Sequence, residues 1–163
     1  MPREKPIELF TPPNTLKAKM GGALPSIDQK AIARAEAALA GMQDQFETWI
    51  QDELDSLNKA WADFQAKGDT PETRRELHRR AHDLKGLAPT YGYPLVGRVS
   101  NSLSKLTGEE LGNLNPPASL LKAHVDAVKA IVQGKITNPT HPVGAALAAE
   151  LEARMLKLVQ AAA

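Results

Sequence analysis

Between Met42 and Phe64 the apolar side chains stand at positions 42, 46, 49, 50, 54, 57, 61 and 64. A strand, with its period of two, cannot bring that three-four spacing onto one face. On a helix of 3.6 residues per turn the same positions form one stripe, with Glu, Gln, Asp and Lys opposite. A stripe of this length needs other apolar faces to cover it, and the remaining segments offer helical ones. Aromatic residues make up only 4% of the 163 residues, whereas Ala, Leu, Lys and Glu abound, a balance that favours helices over sheets. No segment alternates with period two, and no internal repeat is visible. The expectation is an all-α chain forming an up-down bundle of antiparallel helices.

Six helices are predicted. Residues 1–25 hold five prolines and a Gly21-Gly22 pair, which implies an extended arm without helix. Ser26 is the expected N-cap of a first helix with Ile27, Ala31, Ile32, Ala35, Ala38 and Leu39 on its apolar side and Gly41 as a stop or a tolerated interior glycine. The stripe from Met42 to Phe64 is the second, with Phe46, Trp49, Trp61 and Phe64 assigned to the core. After the turn at Lys67-Gly68-Asp69, Thr70-Pro71-Glu72 supplies a capping hydroxyl, an N1 proline and an acidic first turn for the third. Pro89 is expected to end it, because its ring clashes with the carbonyl of Lys85 and it has no N–H to donate. Pro94 opens a fourth helix with Leu95, Val99, Leu103 and Leu106 inward. Asn115-Pro116 is the expected cap and N1 of a fifth, with Leu121, Val125, Val128 and Val132 inward and Gly134 closing it. The sixth carries Leu147, Leu151, Met155 and Leu158 on one stripe. The implied organisation is an arm over 1–25, a bundle over 26–135, and a linker with a C-terminal helix packed on the bundle over 136–163.

Composition narrows the function. The chain is long enough for one domain with a real core. It contains no cysteine, so thiol chemistry and disulfides are excluded. No run of about 18 apolar residues and no charged-then-apolar leader is present, and the expectation is a soluble cytoplasmic protein without membrane contact. A formal charge of +1 is too small for nucleic acid to be a general partner. His78 and His82 have the i, i+4 spacing of metal ligands, but two ligands do not make a zinc site, and no metal is expected.

The chemistry that remains lies in residues 82–92, His-Asp-Leu-Lys-Gly-Leu-Ala-Pro-Thr-Tyr-Gly. At about 100° per residue, Leu77, Ala81, Leu84 and Ala88 share the core side of the third helix, and His82 points roughly 130° away from it. Around it on the wheel lie Arg75, His78, Arg79, Lys85 and Gly86. Histidine offers a neutral nitrogen nucleophile near neutral pH. Lys85 at i+3 can meet anionic oxygens, and Gly86 at i+4 removes the side chain that would block an approaching protein. A glycine inside a helix costs about 0.8–1 kcal/mol against alanine, so its place one turn from an exposed histidine calls for a reason.

His82, Lys85, Gly86 and Gly92 match the His-x-x-Lys-Gly-x-x-x-x-x-Gly pattern, and the segment resembles the histidine-containing phosphotransfer (HPt) domains of multistep phosphorelays. Leu84, Ala88 and Tyr91 also fall where that family places core residues, and the resemblance covers roughly residues 42–133. It implies an HPt-type four-helix bundle with additional N- and C-terminal helices. It further implies that His82 is the phosphoacceptor, that Lys85 steadies the phosphoryl oxygens and that Gly86 admits the partner. Arg75, His78, Arg79 and Pro89 would form the docking surface, and Gly92 a structural turn. The implied partner is the receiver domain of a response regulator or hybrid kinase, whose acidic pocket holds an aspartate and a magnesium ion. The chain itself would need no cofactor, since it shows no kinase motif or Gly-rich nucleotide loop. The positive neighbours would keep His82 neutral and speed encounter with that pocket. Pro89, where the family more often has a small helix-compatible residue, departs from the pattern. Two rivals stand beside this reading. One is a helical adaptor or inhibitor that docks on a receiver or kinase without being phosphorylated. The other is the dimerising phosphoacceptor region of a histidine kinase, for which Asp83 directly after His82 speaks. The Lys-Gly pair and the supply of enough helices in one chain favour a monomeric bundle instead.

Overall fold

A computed structural model describes residues 28–112 and 114–163, which fall into two compact units dividing after Leu39. The arm over 1–25 and the Ser26 cap lie outside the described residues. Five helices are described: α1 (Gln29–Lys67), α2 (Pro71–Thr90), α3 (Pro94–Thr107), α4 (Ala118–Gln133) and α5 (Pro142–Ala162). Among the described residues there is no strand, and no helix is long and apolar enough to cross a membrane.

The first two predicted helices are one. α1 runs through Gly41 without interruption, because the alanines, leucine and methionine around it are strong helix formers and outweigh one glycine. Asp28 stands just before it and accepts a hydrogen bond from the Lys30 N–H at 2.9 Å. The apolar stripe is not buried along its whole length. Residues 29–45 are exposed, Phe46 is half-buried, and burial begins at Ile50 and continues through Leu54, Leu57, Ala60, Trp61 and Phe64. Met42 and Trp49, expected inside, are 47% and 43% exposed.

The unit from Ala40 onward holds one core to which the C-terminal half of α1 and all of α2–α5 contribute. The turn at Gly68, with φ of +81°, passes the chain from α1 to α2. The Phe46 and Trp49 rings meet Tyr91 at 5.5 and 5.7 Å, so the two helices run antiparallel. Thr70 caps α2 as expected. Its hydroxyl accepts from the Thr73 N–H, the Thr73 hydroxyl accepts from the Thr70 N–H, and the same Thr73 hydroxyl donates to the Gly68 carbonyl at 2.7 Å. This reciprocal pairing satisfies N-terminal amides that the helix cannot. Arg74 binds Asp69 and donates to the Leu114 carbonyl at 3.0 Å, tying the segment before α4 to the start of α2.

Pro89 does not end α2, which continues to Thr90 with Tyr91 as its C-cap. The Tyr91 N–H reaches the Leu87 carbonyl, the Tyr93 N–H reaches Ala88, and Gly92 turns the chain with φ of +91°. The proline is tolerated because its ring seats on α3. A Cβ at Gly97 would stand 2.7 Å from Pro89 Cγ and 3.1 Å from its Cδ. The lost hydrogen bond is offset by close helix packing one residue from the helix end.

α3 and its buried set match the expectation, whereas α4 starts later than predicted. Its N-cap is Pro117, and Asn115-Pro116 lies in the preceding segment. The residue before a proline is disfavoured in the α region, so Pro116 cannot begin a helix that Pro117 interrupts. Leu121, Val125, Val128 and Val132 face inward. α5 packs against α3 and α4, but its buried line is Gly144, Ala148, Leu151 and Met155, with Leu147 and Leu158 only half-buried. Small residues decide this setting: a Cβ at Gly144 would come within 2.7 Å of Leu95 Cδ1. His141 caps α5, its Nδ1 accepting from the Gly144 N–H at 3.2 Å, and Arg98 pairs with Glu152 from α3 to α5.

One buried polar pair crosses the core. The His124 Nδ1–H donates to the Leu120 carbonyl at 2.8 Å, so Nε2 is the acceptor of the Ser102 hydroxyl at 2.9 Å. Burial pushes this imidazole below its ordinary value near 6.5, and the Leu120 carbonyl opposes the shift. The folded state therefore binds a proton less readily than the unfolded one. The stability held at neutral pH is expected to decline as pH falls below about 6.5, by at most about 1.4 kcal/mol per pH unit. Denaturant titrations between pH 8 and 5 should show this slope, and His124→Gln should flatten it. A second pair of variants tests the glycine seats. Gly97→Val should lower stability by about 1–3 kcal/mol through overpacking against Pro89. Gly86→Ala, whose new methyl would meet none of the described residues within 4 Å, should raise it by up to about 1 kcal/mol.

Candidate functional site

Leu77, Ala81, Leu84 and Ala88 are each fully buried, and that row fixes which way α2 faces. His82, Lys85, Gly86, Arg75 and Arg79 are consequently exposed, while His78 is half-buried. The structure thus brings the imidazole, the ammonium and the bare backbone of Gly86 together on one outer wall.

Gly86 is not explained by packing among the described residues. A Cβ built there finds none of their atoms within 4 Å, so the close approach of a described helix does not require it. Pro89 is exposed at its outer edge, but its ring is engaged with Gly97, which sets the spacing of α2 and α3 below the site.

The cations around His82 are not equivalent. Arg79, expected as a free member of a basic ring, gives two hydrogen bonds to the Glu76 carboxylate, at 3.0 and 2.9 Å. Arg80 donates to the same carboxylate at 2.9 Å. The hydrogen bond from Arg79 is the largest of the effects that hold Glu76 below the usual carboxylate range, and Arg79 is raised in return. Two arginines thus share one acid, and their field at the site is partly cancelled. Among the described residues Arg75 and Lys85 make no ion pair, which leaves Lys85 as the uncompensated cation one turn from His82.

His78 is held rather than free. Its Nδ1–H donates to the Ser104 carbonyl at 3.0 Å near the end of α3, with the Thr107 hydroxyl at 3.4 Å. The ring lies in a notch opened by Gly108, where a Cβ would come within 2.7 Å of its Cε1. Its centroid stands 6.1 Å from that of His82. The helical wheel placed His78 beside His82 but not against α3. Nor did it single out Gly97, Ser104 or Gly108, whose part depends on how two helices far apart in sequence are stacked.

In chemical terms the wall presents a nitrogen nucleophile open to solvent, a mobile ammonium at i+3 and an unobstructed approach at i+4. No curated protein and no solved structure gives a significant match to the chain. The model of the family described as Hpt domain matches residues 41–134, more than half of the chain. Members of that family are phosphocarriers that act in phosphorelays with receiver domains of response regulators or kinases and have no kinase activity of their own. The matched span contains the buried half of α1, all of α2–α4, the buried row of α2 and the outward His82, and the chain belongs to the Hpt domain family.

Proposed function

We propose that this protein is a phosphorelay intermediate in which His82 carries the phosphoryl group between receiver-domain aspartates. The incoming receiver presents an acyl phosphate. The unprotonated ring nitrogen of His82 attacks phosphorus, the N–P bond forms as the bond to the aspartate oxygen breaks, and the aspartate leaves as carboxylate. The reverse sequence on a second receiver discharges the histidine. Lys85 meets the phosphoryl oxygens as a mobile point charge, and the receiver brings its own magnesium ion in its acidic pocket. Gly86 lets the rim of that pocket reach the backbone of α2, and Arg75 adds positive charge on the wall that meets it.

The observation that carries this reading is Gly86: exposed, inside a helix, beside an exposed histidine, and with no atom of the described residues near the missing side chain. Helix stability argues against glycine there, so a gain outside the fold must favour it.

Mixing the protein with a phosphorylated receiver should give an acid-labile label on the chain, and His82→Gln should abolish it. Labelling that survives this substitution removes the proposal. Lys85→Ala should slow transfer about tenfold, the loss of one charge-assisted hydrogen bond, without changing the thermal midpoint.

A further inference from the structure

We infer that His78 is a second phosphate-binding group of the site, taking up a proton on Nε2 to donate a hydrogen bond to the phosphoryl group carried by His82. This inference rests on the phosphocarrier reading and assigns a residue that the four-position pattern does not contain.

Three features of the ring support it. The Nδ1 atom faces a carbonyl oxygen, that of Ser104. A carbonyl can only accept, so Nδ1 keeps its proton in every state and Nε2 is the position that gains or loses one. The ring is also fixed in place. Gly108 leaves room for it against the end of α3, so contact with a neighbouring group needs little further ordering. Finally, its centroid is 6.1 Å from that of His82. Side chains on a helix lean toward its N-terminus, which brings the His82 ring over the turn that holds His78 and Arg79. Of those two, Arg79 is committed to Glu76, and His78 has a nitrogen to offer.

His78 also stands on the α3-facing flank with Lys85, the two bracketing His82 at i−4 and i+3. The opposite flank holds Arg79, paired with Glu76, and the bare Gly86. A phosphoryl group on His82 would therefore find donors on one side and an open approach on the other. Other titratable groups near the ring are Asp69, Arg74, Arg75, Glu109 and Glu110, which line the adjacent cleft of about 560 Å³. Lys105 follows Ser104 on α3, Arg79 follows His78 on α2, and His82 stands one turn further along. Arg74 is bound to Asp69, so the acids left to act on the unloaded ring are Glu109 and Glu110 at the cleft rim. A phosphoryl dianion next to Nε2 adds a stronger and closer acceptor.

The test uses the full-length wild-type chain, labelled on its ring nitrogens and loaded with phosphoramidate as phosphodonor. The pH titration of His78 is then read by NMR before and after loading. The expected result is an upward displacement of the His78 midpoint by about one pH unit, a tenfold gain in proton affinity, reported at Nε2 with Nδ1 unchanged. It should persist in 1 M salt, where the screening length is about 3 Å and a through-space field effect would fade. A midpoint that does not move, moves only at low salt, or moves at Nδ1 overturns the inference while leaving a loaded His82 intact. A chain that takes no label on His82 overturns the phosphocarrier reading together with it.

Discussion

The way α2 is seated on α3 governs everything on the outer wall. Two glycines of the α3 region make the seats: Gly97 receives the Pro89 ring, and Gly108 receives the His78 ring. They lie toward opposite ends of α3 and engage opposite ends of the α2 segment that carries His82. Contacts this close leave little freedom for α2 to rotate about its axis, since interiors pack densely and resist small displacements. Leu77, Ala81, Leu84 and Ala88 are thereby kept inward and His82 outward.

The same seating sorts the charges. Glu76 binds Arg79 and Arg80 on the side of α2 away from Pro89 and His78, and Ser104 takes the Nδ1–H of His78 on the α3 side. Among the described residues, what remains unengaged beside the imidazole is one lysine, one ring nitrogen and a stretch of backbone without a side chain. An evenly basic ring would attract any acidic surface. The arrangement seen here places Lys85 and the held His78 ring on one flank and the bare backbone of Gly86 on the other.

Much of this was legible in the residues. The three-four spacing identified the helices, the Thr70-Pro71 start and the Gly68 and Gly92 turns marked α2, and the 100° wheel put His82 opposite the core row. The errors have physical causes. Gly41 was offered as a stop or a tolerated interior glycine, and the second holds, so two predicted helices are one; a single glycine costs too little to break a helix rich in alanine. Met42 and Trp49 share the apolar spacing of Ile50 yet remain exposed, because spacing says which residues share a face and not whether anything covers it. Pro89 was expected to end α2, a penalty that packing on Gly97 offsets. The start of α4 slipped by two residues because Pro117 forbids helix at Pro116. In α5 the buried line turned toward Gly144 and Ala148, since close approach to Leu95 favoured small residues over Leu147 and Leu158. His124 was overlooked as a core residue, although it lies three residues from Leu121 and four from Val128, because a buried imidazole depends on a partner, Ser102, that only the packed helices supply.

By itself the sequence determined the helical class, the inward row of α2 and the grouping of His82, Lys85 and Gly86. Each of these follows from periodicity within one helix, where neighbours are set by 3.6 residues per turn. Only the tertiary structure decided that His78 is clasped by the end of α3 and that none of the described residues fills the space beside Gly86. Those outcomes depend on rotamers and on the distance between helices, which are settled by steric fit between segments remote in sequence and leave no periodic trace in it.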